Sequence, residues 1–291
     1  QACADGSPTG PELSDGAGFD LRAGQAGGAS GLTVMTQNLY VGADVDEVIT
    51  ALATPDPNDD IPALLNAVAT IERTDFAARA AAIADEIGRT HPAVVGLQEV
   101  STIGVDIPPL GVSLHVDFLP ILLGALAAEG LNYVVAIEYE NFTAAPAPGI
   151  SLVDASRVQV LSAAGHTFAA NLGVVAPGVD LQRGWVTMEA VVDGTPYTFV
   201  SLHTEGTGPD ELLLQLHALQ VGEMAASLGT TSPAVVIGDF NAQPGSPAYQ
   251  VMVDAGFTDV WGALRPGVRG YTCCQAADLS NLTPQLHERI D

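Results

Sequence analysis

Apolar positions in this chain recur with two periods, and the switches between them mark its elements. Residues 32–37 alternate apolar and polar as a strand does, run into Asn38, and meet a polar turn at Gly42, Ala43 and Asp44. Residues 54–60 predict a loop and 61–70 a short helix. Thr74 reads as an N-cap with Asp75 in the first turn, ahead of Phe76, Ala80, Ile83 and Ile87 at helical spacing. Pro92 ends that helix. Residues 93–97 form an apolar run that predicts a buried strand, with Gln98 and Glu99 at its end. Residues 101–113 contain Pro and Gly and predict a long loop. Val116, Leu119, Leu122, Leu123 and Leu126 then give a helical stripe that stops at Gly130.

In the second half, residues 131–137 predict a strand and 140–150 a loop. Residues 152–161 are strand-like and carry Asp154 and Arg157, which either line a site or sit on a solvated face. The runs 185–192 and 197–202, joined through Asp193 and Gly194, predict a hairpin whose second strand ends in His203-Thr204-Glu205. Residues 208–228 carry the strongest helix signal, with Pro209 in the first turn, Gly229 at the end, and Leu212, Leu216, Leu219 and Met224 facing inward. In residues 235–242 an apolar run breaks at Gly238 and presents Asp239 and Asn241, two residues apart. On a strand such positions share one side, so the acid and the amide are expected to emerge together. Ser246 and Pro247 open a short helix that ends near Gly256, and residues 258–286 carry few regular signals. Helices and strands are interspersed, one hairpin is antiparallel and no repeat is evident, which predicts an α/β fold with a mixed sheet. No linker separates two cores after residue 32, so the expected organisation is an arm over residues 1–31 and one domain over 32–291.

Charge narrows the function classes. The chain carries 34 acidic residues against nine basic ones, all Arg, for a net charge of −25. Such a surface repels a phosphate backbone at long range and argues against processive nucleic-acid binding. A divalent ion would invert the sign locally, so a nuclease stays open. No stretch approaches the ~20 apolar residues of a membrane span, and residues 119–128 fit a core helix. The chain begins at Gln1 rather than Met and reads as processed or trimmed; a secreted protein is expected. The Gly- and Ala-rich arm is expected to pack on its own domain or on a second copy. Cys273 and Cys274 are adjacent, and Cys3 lies in the arm. A vicinal disulfide, a bridge to Cys3 and free thiols are all compatible with that spacing.

The candidate chemistry sits at strand ends: Asn38, Glu99, His203, and Asp239 with Asn241, while a fifth segment closes on Asp291. Each has a plain structural role as well: a turn cap, a surface acid, a core histidine, an Asn turn. Their order, carried by Gln37-Asn38-Leu39, Leu97-Gln98-Glu99, Leu202-His203-Thr204-Glu205, Gly238-Asp239-Phe240-Asn241 and Arg289-Ile290-Asp291, resembles the endonuclease/exonuclease/phosphatase superfamily.

That resemblance implies a four-layer α/β sandwich of two packed mixed sheets with outer helices. It implies Glu99 and Asn38 as ligands of Mg²⁺, or of Mn²⁺ or Ca²⁺. It further implies Asp239 as the group that positions or deprotonates water, Asn241 as a phosphate ligand and His203 as a donor to a non-bridging oxygen. In the family, the counterpart of Asp291 supports a His on a final strand. This chain ends at Asp291, so it is expected either to be a piece lacking that strand or to lack that central catalytic group. The expected activity is metal-dependent hydrolysis of a phosphodiester: a small molecule, a lipid head group or nucleic acid. A non-catalytic adhesion, matrix or self-assembling module on the same fold is the alternative.

Overall fold

Two four-stranded sheets, each mixing parallel and antiparallel neighbours, form the centre of the molecule. The architecture is that of a computed structural model, which describes residues 31–140, 149–206, 211–229 and 233–291. The chain divides into two units, Gln1–Gly31 and Leu32–Asp291. The packing expected of the arm, including Cys3, lies outside the described residues, as does most of the loop expected at 140–150.

β1 (Val34–Asn38) is followed by three helices, α1 (Val45–Ala53), α2 (Pro57–Thr74) and α3 (Phe76–Thr90), and then by β2 (Val94–Gln98). A hairpin of β3 (Thr102–Ile107) and β4 (Val112–Asp117) leads into α4 (Phe118–Ala128), β5 (Tyr133–Tyr139), β6 (Gly149–Asp154) and β7 (Val158–Thr167). A small ribbon, β8 (Gly173–Ala176) and β9 (Val179–Leu181), precedes the long hairpin of β10 (Gly184–Val192) and β11 (Thr195–His203). Then come α5 (Glu211–Ser227), β12 (Ala234–Asp239), α6 (Pro247–Asp254) and α7 (Val260–Leu264).

The first sheet runs β1-β2-β6-β5 and the second β12-β11-β10-β7. In each sheet one pair is parallel, β1 with β2 and β11 with β12. Three apolar clusters stack these sheets and the helices into four layers. Phe76, Ala80 and Ile87 of α3 and Phe118 and Leu122 of α4 pack on Val95, Leu97, Ile150 and Leu152 of the first sheet. Between the sheets, Val94 and Val153 meet Met188, Ala190 and Phe199. Outside the second sheet, Met224 of α5 and Met252 of α6 cover Val200, Leu202 and Val236. The period of two along β11 explains the split: Phe199 faces the other sheet while Val200 and Leu202 face the helices. This is the four-layer α/β sandwich that the family resemblance implies, and the mixed α/β fold that the element pattern predicts. Among the described residues, no helix is long and apolar enough to cross a membrane.

Several elements differ from the sequence reading. The expected loop at 101–113 is largely the β3–β4 hairpin, because Ile103, Val105 and Ile107 alternate and Pro108, Pro109 and Gly111 are confined to its turn. The expected loop at 54–60 contains the start of α2, with Asp56 as N-cap and Pro57 in the first turn. The cap of α3 is Asp75, whose side chain accepts from Ala78 N, and Thr74 instead closes α2. Leu212 and Leu219 of α5 are exposed; the helix buries His217, Gln220, Val221 and Met224. β12 is half-buried at a sheet edge rather than enclosed on both faces. Asp154 caps a turn and Arg157 pairs with Asp193 at 2.8 Å, so these two charges sit on a solvated face.

Gly238 sits where the backbone of β12 leaves no room for a side chain against β11. Its φ is +139°, and a Cβ there would lie 2.1 Å from the carbonyl oxygen of Leu202. Gly238→Ala is therefore expected to cost roughly 3 kcal/mol, measured as a lower urea midpoint at unchanged slope.

Candidate active site

Asn38 joins the two sheets at their shared end. Its Nδ2 donates to Glu99 Oε1 at 2.9 Å and to Asp239 Oδ2 at 3.0 Å. Its Oδ1 accepts from Tyr40 N at 2.8 Å, which fixes the amide orientation, since a backbone N–H can only donate. Asn38 and Glu99 end the parallel pair of the first sheet, and Asp239 ends β12 in the second.

Glu99 is held at both oxygens, Oε1 by Asn38 and Oε2 by Val41 N at 2.9 Å. Its backbone is left-handed, φ +55°, as is that of Tyr40 at +56°. Such a conformation is costly for non-Gly residues and persists when its surroundings enforce it. Arg79 of α3 supplies the enforcement. Its guanidinium donates to the carbonyls of Leu39, of Tyr40 (3.0 Å) and of Thr74 (3.0 Å), and it lies over the rings of Phe76 and Phe118. The turn whose N–H groups orient Asn38 and Glu99 is thereby fixed to the helical layer. Burial, then the charges of Asp44 and Glu99, push the Tyr40 hydroxyl up to about 12.

Asp239 and His203 lie directly opposite each other in the parallel β11–β12 ladder, and both are buried. Asp239 Oδ1 accepts from Asn241 N at 2.9 Å. Asn241 does not continue the strand: its φ is +45° and its Nδ2 donates to Thr204 O at 3.3 Å. The acid and amide do stay together, but through a turn rather than through strand periodicity. His203 Nε2 stands 3.9 Å from Asp239 Oδ2, and its Nδ1 is 3.2 Å from Arg183 Nη1. Arg183 also pairs with buried Glu205 at 3.2 Å. Glu205 N donates to Gln220 Oε1 at 3.0 Å, and His217 Nε2 lies 3.1 Å from Gly206 O. The polar residues buried by α5 thus support this end of the site.

The C-terminal segment lies beside β12, because Phe240 N donates to Ile290 O at 2.8 Å. Thr272 Oγ1 accepts from Ile290 N at 3.2 Å and Asp291 N at 3.4 Å. Cys273 bridges to Glu288 and is bonded to Cys274 as a vicinal disulfide, the first of the three thiol alternatives. Arg289 forks onto Asp259 at 2.9 and 2.6 Å, while Asp259 caps α7 through Gly262 N. Arg289 is the main reason the Asp259 carboxyl is depressed to about 2. The stabilisation is complete above the ordinary value of 3.8 and is lost as pH falls through about 2. Arg289→Met is expected to cost roughly 2 kcal/mol at pH 7 and less at pH 3, read by urea unfolding at both.

Burial, then the charge of Asp291, raises Asp239 to about 7, with Glu99 adding to the rise and the bonds from Asn38 and Asn241 opposing it. Asp291 is raised by burial and by Glu99, against a bond from Thr272. Glu99, Asp239 and Asp291 lie within charge range of one another, and carboxylate oxygens are the hard donors that a divalent cation takes. The structure therefore brings together Asn38, Glu99, His203, Asp239 and Asn241, with Asp291 within charge range. His287 is exposed, with Nδ1 on Gln285 O.

Sequence reasoning missed Arg79, Arg183 and Gln220 as parts of this site. Arg79 and Arg183 are two of only nine cations in the chain, and Arg183 directly precedes the hairpin that carries His203. That scarcity was the available signal.

Among solved structures, the chain is similar to a humanized TDP2 of D. rerio at 16% identity, covering 80% of this chain and 72% of that one, with a TM-score of 0.47. It is similar to an endonuclease/exonuclease/phosphatase family protein from Leptotrichia buccalis at 13% identity, covering 79% and 74%, with a TM-score of 0.48. A mannosyl-6-phosphatase from Bacteroides thetaiotaomicron matches at 16% identity, covering 78% and 71%, with a TM-score of 0.47. No curated protein matches. The model of the endonuclease/exonuclease/phosphatase family matches residues 35–291, taking in every strand end that carries a polar candidate, and the chain belongs to that family.

Proposed function

We propose that the protein is a divalent-metal-dependent phosphoesterase that hydrolyses phosphodiesters by direct attack of water. The observation that carries this reading is the single Asn38 amide bound to both Glu99 and Asp239, at 2.9 and 3.0 Å, with His203 beside them. Burial raises the carboxyls of Asp239 and Asp291 where Asn38 ties Asp239 to Glu99, and perturbed acids of this kind cluster at functional sites.

In this reading Glu99 holds the cation, with Asn38 beside it, and Mg²⁺, Mn²⁺ or Ca²⁺ suits those oxygens. The bound ion supplies Lewis-acid stabilisation of charge on the phosphoryl and leaving oxygens. Asp239, its carboxyl raised to about 7, accepts a proton from the attacking water near neutral pH. As the water oxygen bonds to phosphorus, the opposite P–O bond breaks and the leaving oxygen takes the electron pair. The second N–H of Asn241 and the ring N–H of His203 orient the non-bridging oxygens. Asp291 adds to the acidic set on the Asp239 side.

The charge of −25 favours a small or lipid phosphodiester over long DNA, because a polyanion would meet repulsion over the whole surface. The vicinal disulfide favours an extracellular setting. Hydrolysis of bis(p-nitrophenyl) phosphate with Mg²⁺ or Mn²⁺ tests the reading against Glu99→Ala and Asp239→Ala. Metal-dependent turnover that EDTA removes and both variants lack is expected; equal, metal-independent rates in all three exclude it.

A further inference from the structure

The Arg183–His203 contact is unusual in its chemistry. A guanidinium donates and cannot accept, and it stays charged at any pH a folded protein meets. The nitrogen it approaches at 3.2 Å, His203 Nδ1, must therefore be the acceptor, with its lone pair bare. A neutral imidazole with a bare Nδ1 carries its proton on Nε2. Nε2 is the ring atom on the Asp239 side, 3.9 Å from Oδ2, too far for a hydrogen bond.

The surroundings hold Arg183 in that pose. Its backbone N donates to Asn171 Oδ1 at 2.6 Å, and its Nε donates to Glu205 Oε1 at 3.2 Å. Glu205 is 2% exposed and is anchored in turn through its backbone N to Gln220. The Asp46 carboxylate also lies within charge range of Arg183. Anions thus compensate the guanidinium on one side while the imidazole takes a hydrogen bond on the other.

We propose that Arg183 is the positioning residue that locks His203 in its Nε2-protonated neutral tautomer, so that Nε2–H is the donor presented to the reacting phosphate. The presentation rests on the phosphoesterase reading; the tautomer does not. Burial and the adjacent positive charge both disfavour imidazolium, which agrees with a neutral ring. His203 then acts as a fixed dipole rather than a cation or a general acid. Its proton is not transferred, so the leaving oxygen departs without help from this residue.

Long-range ¹H–¹⁵N NMR of the ¹⁵N-histidine protein at pH 8 tests this directly, with His203 assigned by loss of its signals in His203→Gln. A bare Nδ1 and a protonated Nε2 are expected. A proton on Nδ1, or an averaged signal from both tautomers, overturns the proposal. The second arm is Arg183→Lys, which keeps a charge opposite Glu205 but cannot span Glu205 and Nδ1 with one ammonium group. Its His203 signals are expected to move toward a tautomer mixture, and kcat on bis(p-nitrophenyl) phosphate to fall about tenfold or more with little change in KM. An unchanged tautomer in Arg183→Lys overturns the lock. A wild-type chain with a bare Nδ1 but no hydrolysis removes the phosphoesterase reading and leaves the tautomer assignment intact.

Discussion

Glu99→Gln is expected to lower Mn²⁺-dependent turnover of bis(p-nitrophenyl) phosphate by about a thousandfold or more, equivalent to roughly 4 kcal/mol of lost transition-state stabilisation. Two effects act together. The substitution removes the negative charge proposed to hold the cation. It also disrupts the local bonding, because both Glu99 oxygens accept from N–H groups, Asn38 Nδ2 and Val41 N. A glutamine offers one oxygen and one NH₂, so one of those donors meets another donor. Thermal melting separates this loss from unfolding. Relief of charge repulsion offsets the hydrogen bond that the amide loses, so the melting temperature of the metal-free protein is expected to stay level. Turnover within threefold of the native protein would sink the ligand role of Glu99.

Asp239→Asn loses one hydrogen bond at every pH, because its NH₂ meets the N–H of Asn38 or Asn241. Between pH 5 and pH 8, however, the melting temperature of the metal-free variant is expected to gain about 5 °C on that of the native protein. The folded-state carboxyl is raised from 3.8 to about 7 by burial and by Asp291. The stability it contributes is complete below pH 3.8 and is lost as pH rises through about 7. At pH 5 the folded protein keeps the proton and resembles the amide; at pH 8 it must hold a buried carboxylate among other acids. Melting curves of both proteins from pH 5 to 8 check this, and saturating Mn²⁺ is expected to close the gap by stabilising only the native one. A parallel pH dependence in the two proteins would show that Asp239 does not carry the titration.

The alternation of strands and helices was legible because several buried elements kept a clean local signal, whereas the four layers came only with the family resemblance. The runs at 93–97 and 185–202 and the stripe from Phe76 to Ile87 needed no tertiary information. The misread regions are those where local signals conflict. Pro and Gly in 101–113 masked an alternating hairpin, and in α5 Leu212 and Leu219 face outward while His217 and Gln220 are buried under the site. The strand-end residues could be read only as an ordered set, since each has an ordinary structural role by itself. Arg183 and Arg79 carry no local pattern. Their importance comes from what folds against them, a bare imidazole nitrogen and three carbonyls respectively.

Because one amide clasps an acid from each sheet, the centre works as a vernier between two slabs. A slip of an ångström between them would part the Asn38–Asp239 contact long before the helices melt. Heating is therefore expected to silence the protein ahead of its circular-dichroism transition, and rigid cross-links between the slabs would be the way to prolong its working life.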